Sequence, residues 1–352
     1  VEIATLSRDE QPAKEHPSSL HRYGGFALAM STMQPGLEHF SLPGIGSLAY
    51  HPALGPGHSA LALGDPLCAA ADRDTLLRAY LAAQPRSAFF QVSAETAHSL
   101  RQLGLHSTPM GYETWIELPH WHFAGQARKY LRNVNSRARR LGISLQEWPN
   151  YRERLPQLVE ISDTWLRLRR HSGRELSFLA RPLDSCHDPA TRCFVAQRAG
   201  QPLAFVMFDP VHENGSVTGY AASLLRSREL GSAGWQDFIV LGAMEEFRRE
   251  GLQWLTLGLS PFAEIAVPPE LDSSPPTRWI FRIWRNYGNW LYNFRGVSFH
   301  KRFYPGEQRP AYFCSFSKLP LLDLRDALAA MGVSPLQRLN GYLQRYLQRL
   351  TG

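Results

Sequence analysis

Residues 124–141 read AGQARKYLRNVNSRARRL, and this run sets the organisation of the whole chain. Tyr130, Val134, Ala138 and Leu141 recur at helical spacing, and Gly142 supplies a stop, so the run predicts one amphipathic helix. Arg128, Lys129, Arg132, Arg137, Arg139 and Arg140 are six cations within thirteen residues, with no acidic residue among them. Burying the apolar stripe leaves a wide cationic face on a rigid rod. That face suits either a polyanion lying along it or plain solvation. Strand-rich segments stand on both sides of the helix, which therefore reads as a link between two mixed αβ blocks.

The charge divides at the same place. Residues 1–120 carry 7 Lys or Arg against 11 Asp or Glu, whereas residues 121–352 carry 31 against 20. The overall +7 therefore belongs to the second part. Such a field steers phosphate-rich partners, RNA or an anionic lipid surface, and is silent about fold.

At 352 residues and 44% hydrophobic, the chain is long enough for two domains. No apolar run reaches the length of a spanning helix, and Val1 to Glu15 is too polar for a signal peptide. The sequence as given is expected to be soluble or peripheral. Its start at Val1 leaves room for a larger parent bearing membrane spans. Cys68, Cys186, Cys193 and Cys314 form no CxxC pair, which fits a reducing compartment. Cys186, His187 and Cys193 lack a fourth ligand at a recognised spacing, so no metal is expected.

In the first block Gly46 to Tyr50, Ser59 to Leu63 and Ala88 to Val92 read as strands, with a helix over Arg73 to Ala83. Gly64-Asp65-Pro66 breaks the chain after a strand, as a pocket edge or a plain turn. In the second block Leu158, Ile161, Trp165 and Leu168 mark a helix over Arg152 to Arg170. Phe194 to Ala196, Leu203 to Asp209 and Ser216 to Leu224 read as strands, with a hairpin at Asn214-Gly215. Asp237 to Glu250 reads as a helix capped by Asp237, and Trp254 to Gly258 as the next strand.

Two segments carry chemical signals. Arg228-Glu229-Leu230-Gly231-Ser232-Ala233 follows R-x-x-G-x-A, the pyrophosphate-loop pattern of GNAT acetyltransferases, in which backbone amides near a helix start face phosphate oxygens. So short a pattern with so few fixed positions also arises by chance, and otherwise the segment is a glycine-shaped connection. Tyr292-Asn293-Phe294-Arg295-Gly296, with His300-Lys301-Arg302-Phe303, alternates aromatic and basic residues. There Arg295, Lys301 and Arg302 would contact phosphate or a developing oxyanion, unless the segment is an ordinary surface strand. His300 has the chemistry of a base but no orienting partner in the sequence.

Taken together, these residues resemble the cytosolic synthase domain of the MprF family, the aminoacyl-phosphatidylglycerol synthases of the DUF2156 group, related to the Fem aminoacyltransferases. The resemblance rests on Ala62 to Pro66, Lys129 to Arg132 with Arg137 to Gly142, and Ile161 to Leu166. It continues through Arg174 to Phe178, Leu257 to Phe262, and Tyr292 to Gly296 with Phe299, Lys301, Phe303 and Pro305, in order over about residues 45–315.

The resemblance implies an α/β fold of two tandem GNAT-like domains. They would span residues 1–123 and 143–318, joined by the basic helix at 124–142 and followed by an amphipathic segment at 319–352. There Ser334, Pro335 and a leucine stripe predict a terminal helix that suits an anionic bilayer or the protein's own core. The resemblance also implies transfer of an amino acid from aminoacyl-tRNA to phosphatidylglycerol at the cytoplasmic face of the bacterial inner membrane, with no metal or cofactor and no DNA partner. It implies catalytic positions at Arg226 and Lys301, with Asp237 supporting the loop. Substrate contacts are implied from Ser223, Arg228, Gly231, Ser260, Asn293, Arg295 and Arg302, and tRNA contacts from the six cations of the basic helix. This chain departs from the family in two places. Ser223 stands three before Arg226 where the family has Asp, and Gly296-Val297-Ser298 lacks the family's Arg. An acyl-CoA-dependent N-acyltransferase and a non-catalytic lipid- or RNA-binding relative are the competing classes.

Overall fold

The computed structural model describes residues 12–333 except 123, 126–127, 169–174, 184–187, 229–233 and 289–299. Twelve strands belong to one mixed sheet. In chain order they are β1 (Glu38–Leu42), β2 (Gly46–His51), β3 (Ala60–Leu63), β4 (Leu67–Cys68), β5 (Ser87–Val92) and β6 (His106–Glu117). The second set is β7 (Ile143–Glu147), β8 (Arg192–Arg198), β9 (Gln201–Glu213), β10 (Ser216–Ser227), β11 (Trp254–Pro261) and β12 (Glu307–Ser315). Across the sheet the order is β1-β2-β3-β5-β12-β6-β11-β10-β9-β8-β7, with β4 on β2. The blocks on either side of the basic helix meet inside this sheet, because β6 pairs antiparallel with β11 and the late strand β12 inserts between β5 and β6.

Helices cover both faces: α1 (Pro12–Tyr23), α2 (Arg73–Ala83), α3 (Ala94–Gln102), α4 (Lys129–Arg140), α5 (Leu155–Leu168), α6 (Trp235–Arg249), α7 (Pro275–Tyr287) and α8 (Leu321–Ala330). The strand period of two sorts the core. On β8, Phe194 and Ala196 pack with Leu131 and Ala138 of α4 and Ile239, Ala243 and Phe247 of α6. Their neighbours Cys193 and Val195 face Leu158 and Ile161 of α5. On β3, Ala60 and Ala62 face Leu77 and Tyr80 of α2, while Leu61 and Leu63 face Phe281 of α7 and Leu324 of α8. The two parallel pairs, β3 with β5 and β10 with β11, are each bridged by a crossover helix, α2 or α6.

Among the described residues the expected strands and helices are present, α2 with the expected bounds and the others with shifted ends. The basic helix begins at Lys129, and its buried seam is Leu131, Val134 and Ala138. Leu141 lies past the last helical residue, in the C-cap position, and is 37% exposed, so Leu131 takes the place expected for it. Gly142 follows at φ +67, the left-handed stop. α5 starts at Leu155 because residues Tyr151–Arg154 form a 3-10 turn ahead of Pro156. α6 is capped by Gly234 in the left-handed region, which moves Asp237 from the cap to the third helical position. Gly64 is also left-handed, and half-buried Asp65 beyond it accepts the Ser93 amide at 2.8 Å, so this turn ties the end of β3 to the start of α3. Cys68, Cys193 and Cys314 are free thiols. Cys186, His187 and the expected terminal helix from Ser334 lie outside the described residues. Among the described residues, no helix is long and apolar enough to cross a membrane.

Candidate active site

The parallel pair β10/β11 is brief. Gly219 to Ala221 align with Trp254 to Thr256, after which β10 runs on to Ser227 while β11 bulges between Thr256 and Leu259 and follows β6. The two strands diverge from that point and open the middle of the sheet. Gly258, in the bulge at φ +68, has its amide bound to Thr256 Oγ1 at 3.0 Å. Lys301 reaches this bulge, and its Nζ donates to the carbonyls of Gly258 at 2.8 Å and Leu259 at 2.6 Å. The residue as a whole is half-buried, but its ammonium is enclosed. Burial brings its pKa down to about 7 against the opposing pull of Glu113. Glu113 is itself buried, which raises its pKa, while Gln91 Nε2 and Trp115 Nε1 donate to its carboxylate at 2.7 and 2.9 Å. Nearby on β11, Ser260 is fully buried, and its Oγ has no partner among the described residues.

Arg226 stands on the β10 side of the opening. Its guanidinium lies 4.0 Å from the Trp165 ring centroid and 3.5 Å from Glu175 Oε1, a cation–π contact reinforced by an ion pair. Glu175 is held in turn by Ser162 Oγ at 3.3 Å and the Leu183 amide at 3.1 Å. Its segment is fastened to β9 by a buried bidentate pair, with Arg181 Nε and Nη2 donating to Asp209 at 2.7 and 2.5 Å. Ser223 sits at the irregularity of β10 between Ala222 and Leu224 and donates to the Met207 carbonyl at 3.2 Å.

Asp237 is a hub rather than an open carboxylate. It accepts from Tyr130 Oη at 3.0 Å and Tyr304 Oη at 2.8 Å, and His300 Nδ1 stands 3.4 Å away. Tyr130 also stacks on Phe303 with ring centroids 4.4 Å apart. These contacts knit α4, α6 and residues 300–304 together, and so position Lys301. The hydrogen bond to Asp237 raises the His300 pKa, with burial opposing it. His300 thus gains the orienting partner that the sequence did not reveal. Burial, then the Asp237 charge, pushes the Tyr130 phenol upward too, which keeps it a neutral donor.

The remaining expected positions separate. Lys129, Arg137, Arg139 and Arg140 are exposed on α4. Arg128 and Arg132 are partly withdrawn, donating to the carbonyls of Ala124 and Gly125 at 2.8 Å each. Arg228 donates to the Pro202 carbonyl at 3.0 Å and Glu160 at 2.8 Å, which binds it to β9 and α5 rather than leaving it open for a phosphate. Arg302 is exposed, with its guanidinium 4.9 Å from the Phe303 ring. Gly231, Asn293 and Arg295 lie outside the described residues. Trp165 and Glu175 were missed as site residues, although both fall in segments that carry the family resemblance. Their pairing with Arg226 joins positions far apart in sequence, which no local pattern encodes.

Several known proteins share this architecture. A C-terminal DUF2156 domain from Agrobacterium fabrum superposes with a TM-score of 0.72 at 21% identity, covering 92% of this chain and 99% of that one. L-PGS from Bacillus licheniformis superposes at 0.74 with 19% identity, covering 93% and 98%. At these identities the likeness is one of fold. In sequence, the chain is 24% identical over 226 residues to the phosphatidylglycerol lysyltransferase of Bacillus subtilis, covering 64% of this chain and 25% of that protein. It is 23% identical over 333 residues to an uncharacterized protein of Corynebacterium glutamicum, covering 90% of this chain and 41% of that protein. The chain therefore spans well under half the length of these curated relatives. Residues 18–315 match the family described as phosphatidylglycerol lysyltransferase, C-terminal, and the chain belongs to that family.

Proposed function

We propose that this chain is a lipid-modifying aminoacyltransferase that moves an aminoacyl group from aminoacyl-tRNA to a hydroxyl of an anionic membrane lipid, with phosphatidylglycerol as the acceptor. In this reading it works at the cytoplasmic face of the bacterial inner membrane, and its two halves are tandem GNAT-like units joined by the basic helix. The observation that carries the proposal is the Lys301 ammonium, held at the bulge of β11 where the parallel pair with β10 opens. Lysine has three N–H donors, and the two carbonyls take two of them. The third is assigned to an oxyanion forming in the opening.

The chemistry balances without a redox step. The lipid hydroxyl oxygen forms a bond to the ester carbonyl carbon, and the bond from that carbon to the tRNA ribose oxygen breaks. The proton of the lipid hydroxyl ends on the ribose oxygen. One ester replaces another, so the barrier rather than the driving force is what the protein must change. A preorganised cation facing the developing oxyanion lowers such a barrier by roughly 3 to 4 kcal/mol, and holding both substrates in the opening supplies the orientation. Arg226, braced by Trp165 and Glu175, is assigned to an anionic group of either substrate. The exposed cations of α4 are assigned to the tRNA backbone.

The test is a panel of labelled aminoacyl-tRNAs offered to the protein with phosphatidylglycerol vesicles. Label should appear in lipid for at least one amino acid and depend on Lys301. Acylation of a small amine from acyl-CoA, with no label in lipid, would replace this reading with that of an N-acyltransferase.

A further inference from the structure

A cluster of different chemistry stands at the other end of β10 from Arg226. His21 of α1, Asp188 and His212 of β9 each place one ligand atom such that the three lie within 4.8 Å of one another. His21 Nε2 is 3.1 Å from Asp188 Oδ2, and the two imidazole centroids are 5.0 Å apart. His212 is 5% exposed and the Asp188 side chain 7%, whereas the His21 side chain, at 53%, leaves an approach from solvent. The backbone fixes all three. The His212 amide donates to the Gly24 carbonyl at 3.0 Å and the Asn214 amide to the Arg22 carbonyl at 3.1 Å, which seats the end of α1 on β9. Asp188 Oδ1 accepts the Ala190 amide at 2.7 Å, turning Oδ2 toward the histidines.

One feature of this cluster has no account in the protein's own bonding. His212 Nδ1 is buried with no hydrogen-bond partner among the described residues, a condition that native interiors rarely leave uncompensated.

We propose that His21, Asp188 and His212 bind a divalent transition-metal ion, Zn²⁺ by the nature of the donors, at a site that joins α1 to β9. Two imidazoles and one carboxylate, with a position left for water, form a standard zinc donor set. The 3.1 Å between His21 Nε2 and Asp188 Oδ2 is close to the roughly 3.3 Å expected between two ligands of a tetrahedral zinc. The exposed His21 ring supplies the movement that brings the wider separations in. His212 is paired with Val217, nine residues and roughly 30 Å along β10 from Arg226, so the site is independent of the proposed transfer reaction.

The test uses the full chain, stripped with a chelator and then titrated with Co²⁺ by visible absorption and with Zn²⁺ by calorimetry, with thermal unfolding measured in parallel. One equivalent should bind, Co²⁺ should show the absorption of a tetrahedral site, and Zn²⁺ should raise the melting temperature. Even a residue that only orients a ligand is worth 10- to 100-fold in affinity, so losing a ligand in His21→Gln or Asp188→Asn should weaken binding by roughly a hundredfold or more. His21→Gln alters an exposed side chain and keeps the test valid if a His212 variant fails to fold. Absence of a saturable Co²⁺ signal, or wild-type affinity in His21→Gln, overturns the proposal.

Discussion

At the scale of single residues, Lys301 bears the most testable chemistry. Lys301→Ala should lower turnover by roughly a hundredfold, the effect of losing one oxyanion donor, with thermal stability recorded beside activity to separate catalysis from folding. The reactive form in this mechanism is the ammonium, whose pKa is brought down to about 7 by burial. Turnover should therefore fall as pH rises above about 7, and Lys301→Arg, which stays charged, should lose that alkaline limb while running more slowly. A wild-type profile that rises through the same range would assign Lys301 to proton removal instead. Linkage gives an independent measurement. Between about 7 and the ordinary 10.5 the unfolded chain binds the proton and the folded chain does not, so this group's contribution to stability grows as pH rises through that window and is lost as pH falls toward 7. Lys301→Met should consequently stabilise the protein more at pH 7 than at pH 10 in denaturant unfolding.

At the scale of elements, α4 and β6 make opposite kinds of prediction. On α4, Arg137, Arg139 and Arg140 are exposed, whereas Arg132 is occupied by the Gly125 carbonyl. Replacing the three exposed arginines with Gln should weaken tRNA binding and reduce the slope of log affinity against log salt by about 0.7 to 0.9 for each lost phosphate contact. An unchanged slope would mean that this face is only solvated. On β6, Gly111 pairs with Pro261 of β11 and Ala311 of β12 at φ +134. A Cβ there would run into the Ser260 carbonyl and the Phe262 amide, which are backbone atoms with no side-chain freedom to yield. Gly111→Ala adds backbone strain of order 1–3 kcal/mol to that overlap and should destabilise the fold by about 3 kcal/mol or more, read as a lowered denaturant midpoint.

At the scale of the molecule, the sheet makes the halves interdependent. β12 is late in sequence yet lies between β5 and β6, and Tyr312, Phe313 and Cys314 are buried in cores they share with residues before 124, among them Leu48, Leu61, Tyr80, Phe89 and Phe90. Ending the chain at residue 306 would remove this central strand and open two unpaired edges. The truncated protein should lack a cooperative unfolding transition and aggregate. Residues 1–142 expressed alone should fail for the same reason, and a stable, monomeric fragment of either kind would show that the sheet tolerates the gap.

Much of this was legible before any tertiary structure, because local rules govern it. Helical periodicity located α4 and the centre of α5, the Asn214-Gly215 pair marked the β9/β10 hairpin, and Gly142 marked the end of α4. Charge counting set the two parts of the chain apart in net charge, and the family motifs offered Arg226, Asp237 and Lys301 as candidates. Other features have no local signature. β6 carries Pro109 and Gly111 within its twelve residues and β12 carries Pro310, so neither reads as a strand from propensity, and both are held by their neighbours in the sheet. The sheet order is likewise a matter of long-range pairing. The clearest case is chemical. Lys301 is an ordinary basic residue in the sequence, and only its enclosure beside the carbonyls of Gly258 and Leu259 moves its pKa to about 7. His300 and Asp237 stand 63 positions apart, and Arg226 and Glu175 stand 51 apart. A sequence determines which groups are available and which local shapes they favour. Burial and partnership depend on what the rest of the chain places beside them, and for this protein that was decided by the sheet.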